Sequence, residues 1–400
     1  MNSLSDYILS LHPKKVALIT SMYPPYPEGV QQLWGGVEID LEDLVNSLIN
    51  EGIIVRIVSF DYVTSTNEEN GRVKRVGIYI PYVLIKGRQK FLDFAYKEFF
   101  RPIIFEKVIT YLKLEKPDYV VIGKTYQLSL AIYFACRLLN IPYIIRYDWS
   151  CPSNPKDELC TFHDKLYCTS CIERTTGVKI PKIVKIFSTF YFLPLFLWKR
   201  FFWNRSLKVI PVNQFYKTVA ESFGVSPNKI QVIPPTSKLT LNEEKIYELK
   251  KLYKKNNKIL ILYAGRLEPE KGINILLDAF DSPLLKKENI RLLIAGAGRL
   301  SEFVRERENK DERISFVGLI PHEEIGNYYA VADVIAIPSI VPEGHPLVAE
   351  ESLSLGKTII GFKMGGLKEL STINTNVIVV DFGIENLAVG IKKIVNEHSD

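Results

Sequence analysis

Short apolar runs alternate with amphipathic, helix-length segments along nearly the whole chain, and they do so twice. Runs of four to eight residues such as Lys15–Thr20 (KVALIT), Ile53–Phe60, Tyr119–Ile122 and Tyr143–Arg146 read as strands buried on both faces. Between them, Val37–Glu51 places Ile39, Leu41, Leu44, Val45 and Leu48 on one helical stripe, and Leu128–Leu139 reads as another helix. Val209–Val212 and Gln231–Ile233 close this half. The rhythm resumes with strands at Ile259–Ala264, Arg291–Ala295, Ile314–Val317, Val334–Pro338, Thr358–Gly361 and Val377–Val380. Strands that alternate with helices in this way form parallel sheets covered by helices, so the expected class is α/β, with two doubly wound, Rossmann-like domains facing a central cleft.

Pro234-Pro235-Thr236 punctuates the chain, and the Lys/Glu-rich stretch Asn242–Asn257 reads as a linker, which divides the chain into domains 1–235 and 236–400. At 400 residues each domain can bury a core without staples. A net charge of +6 over such a length is too weak for a dedicated nucleic-acid binder, yet compatible with an anionic membrane surface or a phosphorylated ligand. The first twenty residues lack a charged region followed by an apolar one, so no secretory signal is read there. No stretch is long and charge-free enough to span a bilayer. These features, with five cysteines of which four are clustered, predict a cytoplasmic chain.

Chemistry gathers at the ends of the strands in the second half. In PEGHPLVAEESLSLG, Glu343 precedes a helix that starts near Pro346, and Glu351 lies inside it. The backbone N–H groups of Leu347 and Val348 then open a helix whose dipole favours an anion such as a diphosphate. Two carboxylates beside that site can accept hydrogen bonds from sugar hydroxyls, although solvated acids at this spacing are common. In AGRLEPEKGINILLDAF, Arg266 and Lys271 stand between a strand end and a helix; two cations there suit two phosphates, or an ordinary charged loop. Gly296-Ala297-Gly298 follows the next strand, and Gly35-Gly36 precedes the Val37 helix. Each glycine pair allows close backbone approach to a phosphate, and each also suits a plain tight turn.

Together these segments resemble the GT-B, family 4-like retaining glycosyltransferases (glycosyl transferases group 1). GRLEPEKG, the GAG, FVGLIPHEEIGNYYAVADVIAIPS and PEGHPLVAEESLSLGKTII occur in that family's order, and GGVEIDLEDLVNSLINEGIIVRIVS resembles its glycine loop and first helix. The resemblance covers most of the chain and is strongest from Leu260 to Gly366. It implies a nucleotide-diphosphate sugar as donor and a glycan or lipid-linked saccharide as acceptor. Arg266 and Lys271 would neutralise the leaving diphosphate, with Glu343 on a donor-sugar hydroxyl and Glu351 on the ribose. Backbone at Gly344, His345, Leu347 and Val348 would hold sugar and phosphate, Gly36 would approach the diphosphate, and Gly265 and Gly298 belong to the same donor side. Gly318 would lie beside the base. Transfer would retain the anomeric configuration through an oxocarbenium-like state, with no catalytic metal needed, since two cations and a helix terminus do that work and no DxD-like carboxylate motif falls in a suitable loop.

The chain departs from that pattern in three places. Tyr147 and Asp148 stand where a His-Asp pair is common and are the acceptor-side candidates. VIPPTS replaces VIPNG before the second domain, and the chain ends soon after Ile394 without the family's long closing helices. A Cys-rich insert, 148–178, carries Cys151, Cys160, Cys168 and Cys171 spaced C-x8-C-x7-C-x2-C, which suits a structural zinc or two disulfides. Cys136 falls in a helical pattern and reads as core. Finally Ile180–Trp203 is apolar and aromatic with Lys182, Lys185, Lys199 and Arg200 at its edges, and its charge-free run Ile186–Trp198 is only thirteen residues. Such a segment either lies in a membrane interface, with Lys86, Arg88 and Lys90 adding charge, or packs as a buried helix. The interfacial reading predicts a peripheral enzyme on the inner face of the cell membrane. A sugar-nucleotide epimerase of the same fold, acting without an acceptor, and a catalytically silent, membrane-associated binding protein of a glycan pathway are the competing classes.

Overall fold

The computed structural model describes residues 3–20, 36–59, 67–70, 73–77, 101–123, 129–148, 182–235, 237, 239–254, 259–341 and 343–397. The chain forms two compact units, Met1–Pro235 and Thr236–Asp400.

The first unit contains β1 (Lys15–Thr20), β2 (Ile54–Ser59), β3 (Asn67–Asn70), β4 (Val73–Gly77), β5 (Tyr119–Ile122), β6 (Tyr143–Tyr147) and β7 (Lys208–Pro211), ordered β3-β4-β2-β1-β5-β6-β7. All neighbours are parallel except β3, which pairs antiparallel with β4. Because helices cover both faces, a strand here needs apolar residues in succession rather than in alternation. Val16, Leu18 and Ile57 pack with Leu41, Leu44, Val45 and Leu48 of the helix Gly36–Asn50 on one face. Ala17, Ile19 and Val58 pack with Val108, Ile132 and Trp203 on the other. Each such fully buried aliphatic side chain contributes about 1.5–3 kcal/mol. The β3–β4 pair escaped the sequence reading because NEEN and VKRVG contain no continuous apolar run.

The second unit contains β8 (Ile259–Ala264), β9 (Ile290–Ala295), β10 (Ile314–Gly318), β11 (Val334–Ile337), β12 (Thr358–Phe362) and β13 (Val377–Val380), all parallel in the order β10-β9-β8-β11-β12-β13. Strand order reverses direction at β8, so the ends of β8 and β11 flank the crevice where doubly wound sheets bind ligands. The helix Ile384–Glu397 lays Leu387, Ile391, Ile394 and Val395 on this sheet.

Three expectations need correction. Asn242–Asn257 is not an open linker: Asn242 accepts a hydrogen bond from the Lys245 amide and caps the helix Glu243–Tyr253, whose Leu249 is buried. Its polar composition reflects a helix that buries few of its residues. Gln231–Ile233 forms no strand; Gln231 and Ile233 donate amides to the Val209 and Pro211 carbonyls beside β7, and the prolines that follow end the pairing.

The apolar segment is the third case. It folds as the helix Lys182–Arg205, in which Leu195, Phe202, Trp203 and Lys199 are buried. Trp203 meets Tyr147 and Phe223 edge-on, and Phe202 stacks on Tyr133. The opposite side leaves Leu197, Trp198 and Phe201 at 50%, 44% and 43% exposure. Burial and exposure thus divide one helix, where the sequence reading treated them as alternatives. Among the described residues, no helix is long and apolar enough to cross a membrane.

Candidate active site

The site begins where β8 ends. Tyr263 donates its hydroxyl to the Arg266 carbonyl at 2.7 Å, which fixes the turn that carries the Arg266 side chain. The chain then makes a single 3-10 turn, Pro269–Lys271, and enters the helix Ile273–Phe280 through Gly272 at φ 71°. A Cβ at Gly272 would stand 1.9 Å from the Pro338 carbonyl oxygen, so β11 and this helix can approach as they do only with glycine there. That approach brings Lys271 to the loop after β11, where its Nζ lies 2.8 Å from Glu343 Oε2.

Glu343 also accepts the hydroxyl of Ser339, and its backbone carbonyl accepts the Gly366 amide at 2.7 Å. Burial alone would push its pKa up. The Lys271 charge, the hydrogen bonds from Lys271 and Ser339 and the nearby Arg266 outweigh that and hold the carboxyl below its ordinary value. Glu343 is therefore an anion at neutral pH, paired with Lys271 and within the field of Arg266. Arg266 in turn lies 3.7 Å from Glu270, which also sits 3.8 Å from the exposed Arg299. Two cations, held by carboxylates that can exchange partners, are what a diphosphate requires.

A second group is built on the helix Leu347–Ser354. The Glu351 side chain is 3% exposed, and both of its oxygens accept hydrogen bonds. Oε1 receives Ser237 Oγ at 2.7 Å and His322 Nε2 at 2.8 Å, while Oε2 receives the Tyr329 hydroxyl at 2.9 Å. Burial, with the Glu351 charge beside it, pushes the Tyr329 phenol well above its usual range, so Tyr329 stays a donor. The sequence reading named none of Ser237, His322, Tyr329 or Ser339, although His322 and Tyr329 both lie in the quoted FVGLIPHEEIGNYYAVADVIAIPS. No spacing rule marks them, because the meeting of Ser237, His322 and Tyr329 with Glu351, and of Ser339 with Glu343, depends on how the strands β8, β11 and β12 are ordered.

The other named residues fall as follows. His345 turns its ring inward to Glu350, leaving only its backbone for a ligand. Leu347 and Val348 open the helix that holds Glu351, and Gly344 lies between Glu343 and His345. The Gly265 amide donates to Ala295 and ties β8 to β9. A Cβ at Gly296 or Gly298 would meet the Gly265 or Leu267 carbonyl oxygen at 1.8 or 2.5 Å, so loop-on-loop packing accounts for both glycines. Gly318, at φ 74°, has open space where a side chain would stand. Gly36 begins its helix in the first unit.

Tyr147, the acceptor-side candidate, has its side chain fully buried, with Trp203 edge-on and Tyr216 tilted against its ring. Both carboxylate oxygens of Asp148 are likewise buried. Cys151, Cys160, Cys168 and Cys171 lie outside the described residues, as do Gly35, Lys86, Arg88 and Lys90. Cys136 is a core thiol whose pKa burial pushes up to about 12. Among the described residues no cluster of His, Cys, Asp and Glu is arranged to hold a metal.

Two doubly wound units, with cations and carboxylates at the strand ends of the second, define the GT-B class of glycosyltransferase fold. Structural neighbours agree: Anabaena HepE crystallised with UDP aligns over 96% of this chain and 91% of its own at TM-score 0.64 and 17% identity. WaaG, a glycosyltransferase involved in lipopolysaccharide biosynthesis, aligns over the same shares at TM-score 0.60 and 14% identity. The chain belongs to Glycosyltransferase Family 4, whose family model matches residues 34–236, and the model for glycosyl transferases group 1 matches residues 245–400. Among curated relatives, the lipopolysaccharide 1,2-N-acetylglucosaminetransferase of Salmonella typhimurium is 33% identical over 28% of this chain and 32% of its own length. A glycosyltransferase of Methanocaldococcus jannaschii is 28% identical over 48% of this chain and 52% of its own. The chain thus spans between about a third and about half of these relatives' length.

Proposed function

We propose that this chain is a retaining glycosyltransferase that moves a hexosyl group from a nucleoside-diphosphate sugar to a glycan or lipid-linked acceptor. The observation that carries the reading is the pairing of Lys271 with a half-buried, ionised Glu343, with Arg266 nearby, at the end of the parallel sheet. On donor binding, Lys271 and Arg266 turn from their carboxylate partners to the diphosphate. Negative charge on the bridging oxygen grows as the bond to the anomeric carbon breaks, so the two cations stabilise the transition state more than the ground state. Glu343 accepts a hydroxyl of the donor sugar and Glu351 the ribose hydroxyls. The acceptor oxygen then bonds the anomeric carbon from the face the phosphate leaves, and its proton passes to a phosphate oxygen. No residue need form a covalent intermediate. The relatives' names and the UDP bound to HepE support a nucleotide-sugar donor.

The exposed side of the helix Lys182–Arg205 supports a lipid-linked acceptor. Leu197, Trp198 and Phe201 face outward together, Trp198 lies against Phe134, and the Arg205 guanidinium stands 5.3 Å from the Phe201 ring centroid. Aromatic rings edged by arginine suit a bilayer interface with anionic headgroups, hence a peripheral enzyme on the cytoplasmic leaflet. The four insert cysteines are proposed to hold a structural zinc or two disulfides, which metal analysis with thiol titration separates.

The deciding experiment is a thermal-shift screen of nucleoside diphosphates and their sugars, followed by product NMR with candidate acceptors. Transfer with the donor's anomeric configuration kept is expected. Inversion would sink the mechanism, and conversion of the donor without any acceptor would make the chain an epimerase.

A further inference from the structure

Glu351 is closed off in this structure, and what closes it is informative. A carboxylate offers about four lone-pair sites. Ser237, His322 and Tyr329 fill three of them, two on Oε1 and one on Oε2. With the carboxylate opposite, His322 Nε2 carries the ring proton, and Ser237 Oγ lies 3.3 Å from the same nitrogen. A ribose presents two neighbouring hydroxyl donors, so one of the three groups must leave before both can bond.

The three are not equally fixed. Tyr329 is 1% exposed and packed in the core beneath β8 and β11. His322 is the first residue of the helix His322–Val331. Ser237 belongs to neither helix nor strand, two residues past Pro235, where the first unit ends. It is also the one group of the three that matches a ribose hydroxyl chemically, as an alcohol donating to the same oxygen.

We infer that Ser237 is a stand-in for a ribose hydroxyl, and that a nucleoside diphosphate seats itself by displacing Ser237 from Glu351 while His322 and Tyr329 keep the carboxylate oriented. The inference rests on the proposed reading of Glu351 as the ribose-holding group and deepens it. Ser237 is thereby held on Glu351 when the site is empty and released when it fills. Ser237 thus weakens ribonucleotide binding in the resting chain, and its loss has a sign opposite to that of an ordinary site residue.

Isothermal titration of the full chain with UDP, GDP, ADP and CDP identifies the nucleotide, and its 2′-deoxy form is then compared. Removing the competing hydroxyl in Ser237→Ala should tighten the ribonucleotide on the order of tenfold, as a hydrogen bond to a charged group is worth. The 2′-deoxy form should gain less, because it has one hydroxyl fewer to place. Ser237→Thr, which keeps the alcohol, should behave as the native chain. Glu351→Ala should bind weakly and lose the preference for ribose. If Ser237→Ala binds equally or more weakly while Glu351→Ala loses the ribose preference, the displacement is wrong and the ribose role of Glu351 stands. Equal gains for both sugars would show general loosening and would also overturn it. If Glu351→Ala binds as the native chain does, or no nucleotide binds, the reading of Glu351 and the inference fail together.

Discussion

Arg146→Met should be among the most damaging single substitutions in the first unit, although Arg146 touches no proposed ligand. Arg146 stands on β6 with its side chain fully buried, and its Nε donates to Asp40 Oδ2 at 2.8 Å. Asp40 lies one turn into the helix that begins at Gly36, and the other side of the guanidinium donates to the Ile233 carbonyl near the end of the unit. Methionine fills similar volume but leaves a buried carboxylate with no counter-charge and a buried carbonyl with no donor. Breaking a buried pair in this way costs about 3–5 kcal/mol. For a unit of this size each kcal/mol moves the midpoint by about 2–4 °C, so a fall of roughly 6–20 °C is expected in the first unit's thermal transition. Calorimetry of the full chain reads it directly, the second unit's transition serving as an internal control. The double variant Arg146→Met, Asp40→Leu removes both charges, and most of the loss should return. A single-variant cost under about 1 kcal/mol, or a double variant as unstable as the two singles summed, would refute the argument.

Arg266→Ala and Lys271→Ala should each lower turnover by about 10²–10³-fold, since the charge they meet develops in the transition state; Arg266→Ala should leave the melting curve unchanged, Lys271→Ala should lower the midpoint because Glu343 loses its counter-charge, and steady-state kinetics showing only a raised KM would contradict the assignment. Gly296→Ala should destabilise the second unit severely, because its Cβ would sit 1.8 Å from a backbone oxygen, whereas Gly318→Ala meets open space and bears only the cost of a positive φ, on the order of 1 kcal/mol. Comparable midpoints in denaturant for the two variants would show that the loop packing is misread. The carboxyls of Glu343 and Asp311, the second beside Arg313, are held below their ordinary values, so their stabilisation is complete above about pH 4.5 and is lost as pH falls through the lowered values. Stability of the second unit should therefore fall with acidification below that point, and a flat profile to pH 3 would count against it. Trp198→Asp with Phe201→Asp should abolish co-sedimentation with anionic vesicles while leaving the fold intact, and a native chain that ignores both anionic and neutral vesicles would rule out the membrane-facing role.

Local pattern decides what local physics controls. A strand buried on both faces must be apolar at every position, so KVALIT, ILILYA and TIIGF declare themselves without any knowledge of their neighbours, and a two-unit α/β chain follows. Glu343, Arg266 and Lys271 were legible for a related reason: strand ends in such sheets meet the crevice, and charged residues there have few structural duties. Partners were not legible. That Glu351 answers to Ser237, 114 positions away, follows from β11 lying between β8 and β12, an order no window of sequence contains. Tyr147 shows the same limit: its burial comes from the pairing of β6 with β7 and from Trp203 against its ring, neighbours that no local pattern announces. The apolar helix holds both lessons in one element. Its composition set a choice between membrane and core, and only the packing of Phe202 and Trp203 decided that the helix meets the core with one side and offers Leu197, Trp198 and Phe201 with the other, because burial is a property of neighbours brought together by the fold.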